Sequence, residues 1–300
     1  MTAFAVIALC LLAGLALARA RVLPEKSAET LNGYVIWVAL PALIIANAPQ
    51  LSLNADALIP MAFAWGAVLT SAVLVWLLAQ FFRWSKQTRC VLLLLVPLGN
   101  TSFVGIPLVS ALLGKEAVSY AILYDQLGSF LALASYGALV IALNSENSFS
   151  IKSVLVKLIT FPPFIALIVA FVVSGLNVSS QLLLPFDAIG ATLVPVVMVA
   201  VGLQWQFRLP KQDVSAMTLG LGIKLILMPA LVWMILKSLT IEPLMLKAIV
   251  LESAMAPMIS AAALAINQGQ NPKLAGAMVG YGLLMVFLTV PLWLWLIQSV

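Results

Sequence analysis

The sequence predicts an all-α integral membrane protein with ten transmembrane helices, arranged as two inverted five-helix repeats with broken, crossing helices four and nine. Three observations support this fold. Hydrophobic residues make up 64% of the 300-residue chain and charged residues only 8%, whereas soluble domains carry about 25% charged residues. Turn-forming residues interrupt two of the apolar segments. The prolines of the two halves also occur at matching positions.

Ten apolar runs are long enough to cross a bilayer, which takes roughly 17–25 residues. They lie at residues 2–18, 30–47, 58–82, 90–113, 117–143, 153–174, 183–204, 215–236, 244–266 and 274–298. The first run could be a signal peptide, because Ala16-Leu17-Ala18 resembles a cleavage site. However, Arg19 and Arg21 follow it and no positive charge precedes it, so we interpret it as a retained helix.

The prolines indicate an internal repeat. Pro41 in span two corresponds to Pro195 in span seven, and Pro107 in span four corresponds to Pro257 in span nine. Because each half has an odd number of spans, the second half enters the membrane in the opposite sense, as in many secondary transporters. The expected domains are a first repeat, a linker and a second repeat, at residues 1–143, 144–152 and 153–300.

Basic residues between the spans predict the orientation. Loops after odd-numbered spans hold Arg19, Arg21, Lys26, Arg83, Lys86, Arg89, Lys152, Lys157, Arg208, Lys211 and Lys273. Loops after even-numbered spans, with the adjoining ends of the spans, hold only Lys115, Lys237 and Lys247. Since cytoplasmic loops are enriched in Lys and Arg, we expect a protein of the cytoplasmic (inner) membrane with both termini outside the cytoplasm. Basic residues scattered over loops also argue against a nucleic-acid partner.

Several kinds of chemistry are disfavoured. The chain contains no His, the commonest metal ligand and a frequent general base. Cys10 and Cys90 stand alone in or beside apolar segments, as small buried hydrophobic residues do. We therefore expect no metal site, no cofactor other than a coupling proton or sodium ion, and no enzymatic activity. Tryptophans near span ends are interpreted as interfacial anchors, namely Trp37, Trp65, Trp76, Trp84, Trp233, Trp293 and Trp295.

The interruption in the fourth span is the strongest functional signal. The string VPLGNTSFVGIPL occupies residues 96–108 inside an apolar run. Backbone freed from a helix at membrane depth survives only where it is buried in protein or lines a polar cavity, and broken helices mark the binding sites of many secondary transporters. The candidate substrate-binding residues are Asn100, Thr101, Ser102, Gly105 and Pro107. Alternatively, these polar groups only satisfy the backbone of the kink.

A second interruption, ESAMAP at residues 252–257 in the ninth span, adds Pro257 and Ser260 to the substrate-binding candidates. Three ionisable residues also lie at membrane depth: Asp125, Lys224 and Glu252. Each costs roughly 2.5–3.5 kcal/mol at mid-bilayer, so a partner or a hydrated cavity is expected.

The charges of Asp125, Lys224 and Glu252 sum to −1, which leaves one carboxylate to take up a proton or recruit a cation. We therefore predict that Lys224 contacts the substrate and that Asp125 and Glu252 couple transport to an ion. In the alternative interpretation, both carboxylates lie near the headgroups and Lys224 snorkels to the interface.

These residues resemble the auxin efflux carrier family, in the bacterial branch of the bile acid/auxin transporter superfamily. Residues 100–108 are similar to that family's span-four motif, an Asn followed by Gly-x-Pro, and residues 252–257 are similar to its span-nine motif. Lys224 with Pro229 is similar to the basic-x4-Pro pattern of its eighth span. The resemblance implies a ten-helix fold with crossed helices four and nine. It also implies that Asn100 contacts the substrate.

The family's substrates are organic anions: auxin in plants, and malonate and other carboxylates proposed in bacteria. The resemblance further implies that Pro107 is a crossover residue. Two features depart from the plant carriers, since this chain lacks their long hydrophilic central loop and has Ala262 where they have a second proline in span nine. Auxin itself is therefore a doubtful substrate.

We predict a secondary active transporter that moves a small auxin- or malonate-like carboxylate by alternating access, coupled to a proton or sodium. The alternatives are a membrane sensor that binds a ligand without moving it, and a passive channel. The expected partners are the small organic anion and the lipid bilayer, and a homodimer is an allowed assembly.

Overall fold

Apolar side chains dominate nearly every segment, and the chain forms helices, which satisfy their own backbone hydrogen bonds within a membrane. The computed structural model describes residues 2–24, 26–51, 58–144, 152, 156, 159–176, 178–203 and 213–298. Most of the predicted linker, residues 145–151, lies outside the described residues. So do three of the basic residues used to predict the orientation: Lys157, Arg208 and Lys211.

Twelve helices follow one another in this part of the chain. They are α1 (Thr2–Ala20), α2 (Ser27–Ala46), α3 (Leu58–Phe81), α4 (Lys86–Leu95), α5 (Thr101–Leu113), α6 (Lys115–Asn144), α7 (Pro162–Gly175), α8 (Gln181–Leu203), α9 (Val214–Lys237), α10 (Pro243–Ser253), α11 (Ile259–Asn267) and α12 (Pro272–Ile297). By length and composition, α2, α3, α6, α8, α9 and α12 can cross a membrane. The all-α class is confirmed, whereas the ten-span inverted repeat stays a prediction.

The interruptions predicted in spans four and nine are present. The first separates α4, which ends at Leu95, from α5, which begins at Thr101. The second separates α10, which ends at Ser253, from α11, which begins at Ile259. Each interruption contains a proline, which lacks the backbone N–H needed to continue a helical ladder.

Several helices contain π-helical turns, in which hydrogen bonds run from residue i to i+5. They occur at Val35–Ala39 in α2, Thr101–Gly105 in α5, Tyr124–Phe130 and Leu133–Gly137 in α6, and Ile223–Leu227 in α9. Such turns are rare and are often found at functional sites. Two of them carry the ionisable residues Asp125 and Lys224.

Small residues allow close packing between helices from different halves. A Cβ atom at Gly14 of α1 would overlap the backbone of α8, and one at Gly202 of α8 would overlap the backbone of α1. Helices α7 and α8 of the second half also pack against α2 of the first half. Small residues at helix contacts are typical of membrane bundles, where backbone proximity replaces the hydrophobic driving force.

The tryptophans do not share one role. Trp37, Trp76 and Trp295 are exposed on the surface, as expected for anchors in a membrane. Trp293 is only 4% exposed, and its indole N–H donates to the carbonyl of Leu225 at 2.9 Å. The anchor interpretation is therefore wrong for Trp293, because its polar atom is paired inside the bundle.

Candidate functional site at the helix crossing

The two broken segments cross and hydrogen-bond to each other. The backbone N–H of Asn100 donates to the carbonyl of Ala256 at 2.7 Å, and the N–H of Met258 donates to the carbonyl of Leu98 at 2.9 Å. Polar backbone groups that leave a helix inside a membrane need such partners. Each break thereby supplies the hydrogen bonds that the other has lost.

The crossing lies between Gly99 and Pro257, which form an isolated antiparallel bridge. The two breaks therefore meet in space, but the residue of the first break that meets Pro257 is Gly99, and the expectation that Pro107 is the crossover residue is wrong. Pro107 stands in the first α-helical turn that follows the π turn of α5, where a missing N–H is tolerated. The sequence comparison aligned Pro107 with Pro257, whereas in space Pro257 meets Gly99.

A cavity of about 60 Å³ lies beside the crossing. Three of the predicted residues, Asn100, Ser102 and Ser260, provide its polar lining. The rest of its wall is apolar and consists of Ile36, Leu40, Phe103, Phe130, Leu133, Phe161 and Met258. A space of this size accommodates a few water molecules or a small polar group such as a carboxylate.

Asn100 presents an unsatisfied donor at this cavity. The residue is 1% exposed, and its side-chain Nδ2 has no hydrogen-bond partner within the described residues. The side chain does not cap α5, so the interpretation that it only satisfies the kink is not supported. A buried donor without a partner costs about 1–3 kcal/mol. A ligand oxygen in the cavity would remove that cost.

Asp125 lies behind the start of α5 and is fully satisfied. Its carboxylate accepts hydrogen bonds from Thr101 Oγ1 at 2.5 Å, from Ser102 Oγ at 2.6 and 2.7 Å, and from Gln126 Nε2 at 2.5 Å. Asp125 is 0% exposed, so its carboxylate does not contact lipid headgroups directly. The π turn of α6 positions this carboxylate, which holds two hydroxyls of the broken span in place.

Glu252, in the last turn of α10, has the opposite surroundings. It is also 0% exposed, yet neither carboxylate oxygen has a hydrogen-bond partner in the described residues. The carboxylate lies against Gly105, where an added Cβ atom would overlap it. Glycine at 105 is thus required by this close approach. The Glu252 carboxylate also lies within electrostatic reach of Asp125 and Lys224.

Lys224 reaches the crossing from the π turn of α9. Its Nζ donates to the carbonyl of Ser253 at 3.5 Å and lies close beside Gly99. Among the described residues, no carboxylate oxygen comes within 4.0 Å of Nζ. At 4% exposed, Lys224 does not snorkel. Its charge instead faces the carbonyl end of α10, the negative end of the helix dipole.

The structure therefore brings most of the predicted residues together but divides their roles. Asn100, Ser102 and Ser260 line the cavity, Thr101 contacts Asp125, Gly105 contacts Glu252, Lys224 contacts Ser253, and Pro107 and Pro257 shape the backbone.

The sequence prediction missed the aromatic part of the cavity wall. The rings of Phe130 in α6 and Phe161, just before α7, stack at a centroid distance of 3.9 Å with 15° between their planes. Both rings line the cavity. In an apolar sequence such phenylalanines look like lipid-facing residues, and nothing local distinguishes them.

Nearly the whole chain matches a known family of transporters. Residues 1–294 match the family described as Membrane transport protein. This chain belongs to that family. The resemblance to auxin efflux carriers is thereby confirmed, and the family places the chain among membrane transport proteins.

Two archaeal relatives are similar over almost their full length. An uncharacterized transporter of Methanothermobacter thermautotrophicus is 28% identical over 279 residues, which cover 91% of this chain and 90% of the relative. An uncharacterized transporter of Methanocaldococcus jannaschii is 24% identical over 290 residues, which cover 93% and 92%.

Proposed function

We propose that this membrane transport protein is a secondary active transporter of a small organic anion, a carboxylate of the malonate or auxin kind. The observation that supports this most strongly is the buried, unpartnered amide of Asn100 beside the cavity. Its N–H groups and the hydroxyls of Ser102 and Ser260 can donate to carboxylate oxygens. The apolar remainder of the wall suits a compact organic group.

Alternating access between two inverted repeats, residues 1–143 and 153–300 with a linker at 144–152, is the movement we propose. The packing supports this arrangement. Helices α1 and α7 are the first helices of the two predicted repeats, and α2 and α8 are the second. The contact of α1 with α8 therefore has a counterpart in the contact of α7 with α2. Related halves that can exchange conformations are what alternating access requires.

Coupling to a proton or sodium ion is proposed at Glu252. Its buried carboxylate has no hydrogen-bond donor among the described residues, and a proton or cation would neutralise it. Asp125 is the weaker coupling candidate, because donors from Thr101, Ser102 and Gln126 already occupy its oxygens. Lys224 would offset the negative charge of an arriving carboxylate. No further cofactor is proposed.

The test is a thermal-shift panel of mono- and dicarboxylates on the purified protein, with malonate and indole-3-acetate included. We expect at least one carboxylate to raise the melting temperature, since a ligand at 100 times its Kd stabilises the folded state by about 2.7 kcal/mol. Malonamide, which is neutral and nearly isosteric, is the matched control for malonate. The absence of a shift with every carboxylate would remove the anion proposal.

Counterflow of the labelled ligand in liposomes then separates the competing functions. A carrier exchanges labelled for unlabelled ligand, whereas a passive channel shows no counterflow. A membrane sensor binds the ligand without any uptake. Crosslinking the protein in these liposomes would show whether it forms a homodimer.

We also propose that the protein lies in the cytoplasmic membrane with both termini outside the cytoplasm. Ser85 and Ser179 are a matched pair for testing this, since both are exposed and each accepts a backbone N–H at the start of a helix. In a variant without Cys10 and Cys90, we expect an impermeant thiol reagent to label Ser179→Cys in intact cells. Ser85→Cys should react only after permeabilisation, and the reverse pattern would invert the orientation.

A further inference from the structure

Two tryptophans make the same unusual hydrogen bond at two different places. In the first half, the indole N–H of Trp65 in α3 donates to the carbonyl of Leu127 in α6 at 3.1 Å. In the second half, the indole N–H of Trp293 in α12 donates to the carbonyl of Leu225 in α9 at 2.9 Å. Both accepting carbonyls lie in π-helical turns. Asp125 precedes Leu127 in one of these turns, and Lys224 immediately precedes Leu225 in the other.

We propose that Trp65 and Trp293 are positioning residues that hold these π turns and so aim Asp125 and Lys224 at the helix crossing. This positioning role rests on the proposed function only for the identity of the transported ligand. Neither tryptophan lines the cavity.

A π turn needs support because its hydrogen-bond geometry is poorer than that of an α-helix, and such turns persist mainly as isolated bulges. A side chain that bonds to a carbonyl of the ladder is one recognised cause of a local distortion. Relaxing the extra residue into regular α-helix would turn the neighbouring side chains by about 100°, the rotation of one residue at 3.6 residues per turn. Asp125 would then leave Thr101 and Ser102, and Lys224 would leave Ser253.

The helices that carry Trp65 and Leu127 approach each other closely beside this hydrogen bond. Gly128 follows Leu127 in the same π turn, and a Cβ atom at Gly128 would overlap the side chain of Ala64, the residue before Trp65. Helices α3 and α6 therefore approach as closely as two small residues permit. This approach brings the indole within reach of the Leu127 carbonyl.

Burial limits the access of both indole N–H groups to water, so each depends on its carbonyl partner. Trp293 is 4% exposed and Trp65 is half-buried, so an indole N–H without its carbonyl would have little access to water in either position. Trp76 on α3 and Trp295 on α12 are 51% and 69% exposed. They provide controls on the same two helices.

The experiment compares Trp65→Phe and Trp293→Phe with Trp76→Phe and Trp295→Phe. Each change keeps an aromatic ring and removes only the N–H and part of the ring system. With malonate as the probe, we expect the apparent affinity to fall at least about fivefold in the first two variants, the equivalent of one lost hydrogen bond of about 1 kcal/mol. The two control variants should bind malonate as the wild type does.

A second measurement does not depend on any substrate. Melting temperatures in detergent are measured for double-mutant cycles, in which coupled residues give non-additive effects. We expect the decrease in melting temperature caused by Trp65→Phe to shrink to half or less in an Asp125→Ala background. The same decrease should remain unchanged in a Lys224→Met background. Trp293→Phe should show the opposite dependence. A tryptophan that merely fills space would give additive effects in both backgrounds.

Additive effects on the melting temperature in both cycles would overturn the inference. So would losses of malonate affinity no larger than those of the Trp76 and Trp295 controls. If Trp293→Phe cannot be recovered from membranes, the Trp65 and Asp125 cycle decides alone. If the wild-type protein binds no carboxylate of the panel, the proposed function fails while the cycles still test the positioning role.

Discussion

We expect Asn100→Ala to weaken binding of the proposed carboxylate substrate by more than about tenfold and to leave the protein folded. The side-chain Nδ2 is buried and has no partner within the described residues, so its removal deletes no hydrogen bond of the fold. A hydrogen bond to a charged group contributes about 1.5–3 kcal/mol, which corresponds to a loss of roughly 10- to 150-fold in affinity. Asn100→Leu should behave in the same way.

The measurement is the concentration dependence of the thermal shift for the best carboxylate of the panel. Asn47→Ala is the matched control, because Asn47 is also buried, at 7% exposed, but its Nδ2 donates to the carbonyl of Leu43 within its own helix. We expect Asn47→Ala to lower the melting temperature and to keep the affinity. Unchanged affinity in Asn100→Ala or Asn100→Leu would place the binding site elsewhere.

We expect substrate affinity to depend on pH or on sodium in the wild-type protein, and we expect Glu252→Gln to remove most of that dependence. The physical reason is that Glu252 is a fully buried carboxylate to which no described residue donates a hydrogen bond, and an incoming anion adds further negative charge beside it. If a proton provides the neutralisation, binding takes up that proton. Affinity then rises as pH falls, by at most about tenfold per pH unit for one proton.

The test measures substrate affinity across pH 5–8.5, with and without sodium at constant ionic strength. Glu116→Gln, an exposed carboxylate, is the control and should leave the profile unchanged. Asp125→Asn should weaken the dependence less than Glu252→Gln does, because Asp125 already holds several donors. Lys224→Met should weaken anion binding. Equal affinity under every condition would mean that these charges are structural and that the protein is a uniporter.

Local features of the sequence were sufficient to predict the membrane character and both helix breaks. Hydropathy depends only on the residues of each run, and a proline such as Pro257 interrupts a helix through its own missing N–H. Asn100 was identifiable for the same reason, as a polar residue placed next to a break at membrane depth. The family match extends over residues 1–294 and includes both motifs.

The sequence by itself thus determined that this chain is a helical membrane protein with two interrupted spans and three ionisable residues between apolar neighbours. Only the tertiary structure decided which groups meet. It pairs Gly99 rather than Pro107 with Pro257 and surrounds Asp125 with donors, whereas no donor from the described part of the chain reaches Glu252. The physical reason is that hydrogen-bond partners and burial come from different helices, whose approach depends on small contacts such as that of Gly105 with Glu252.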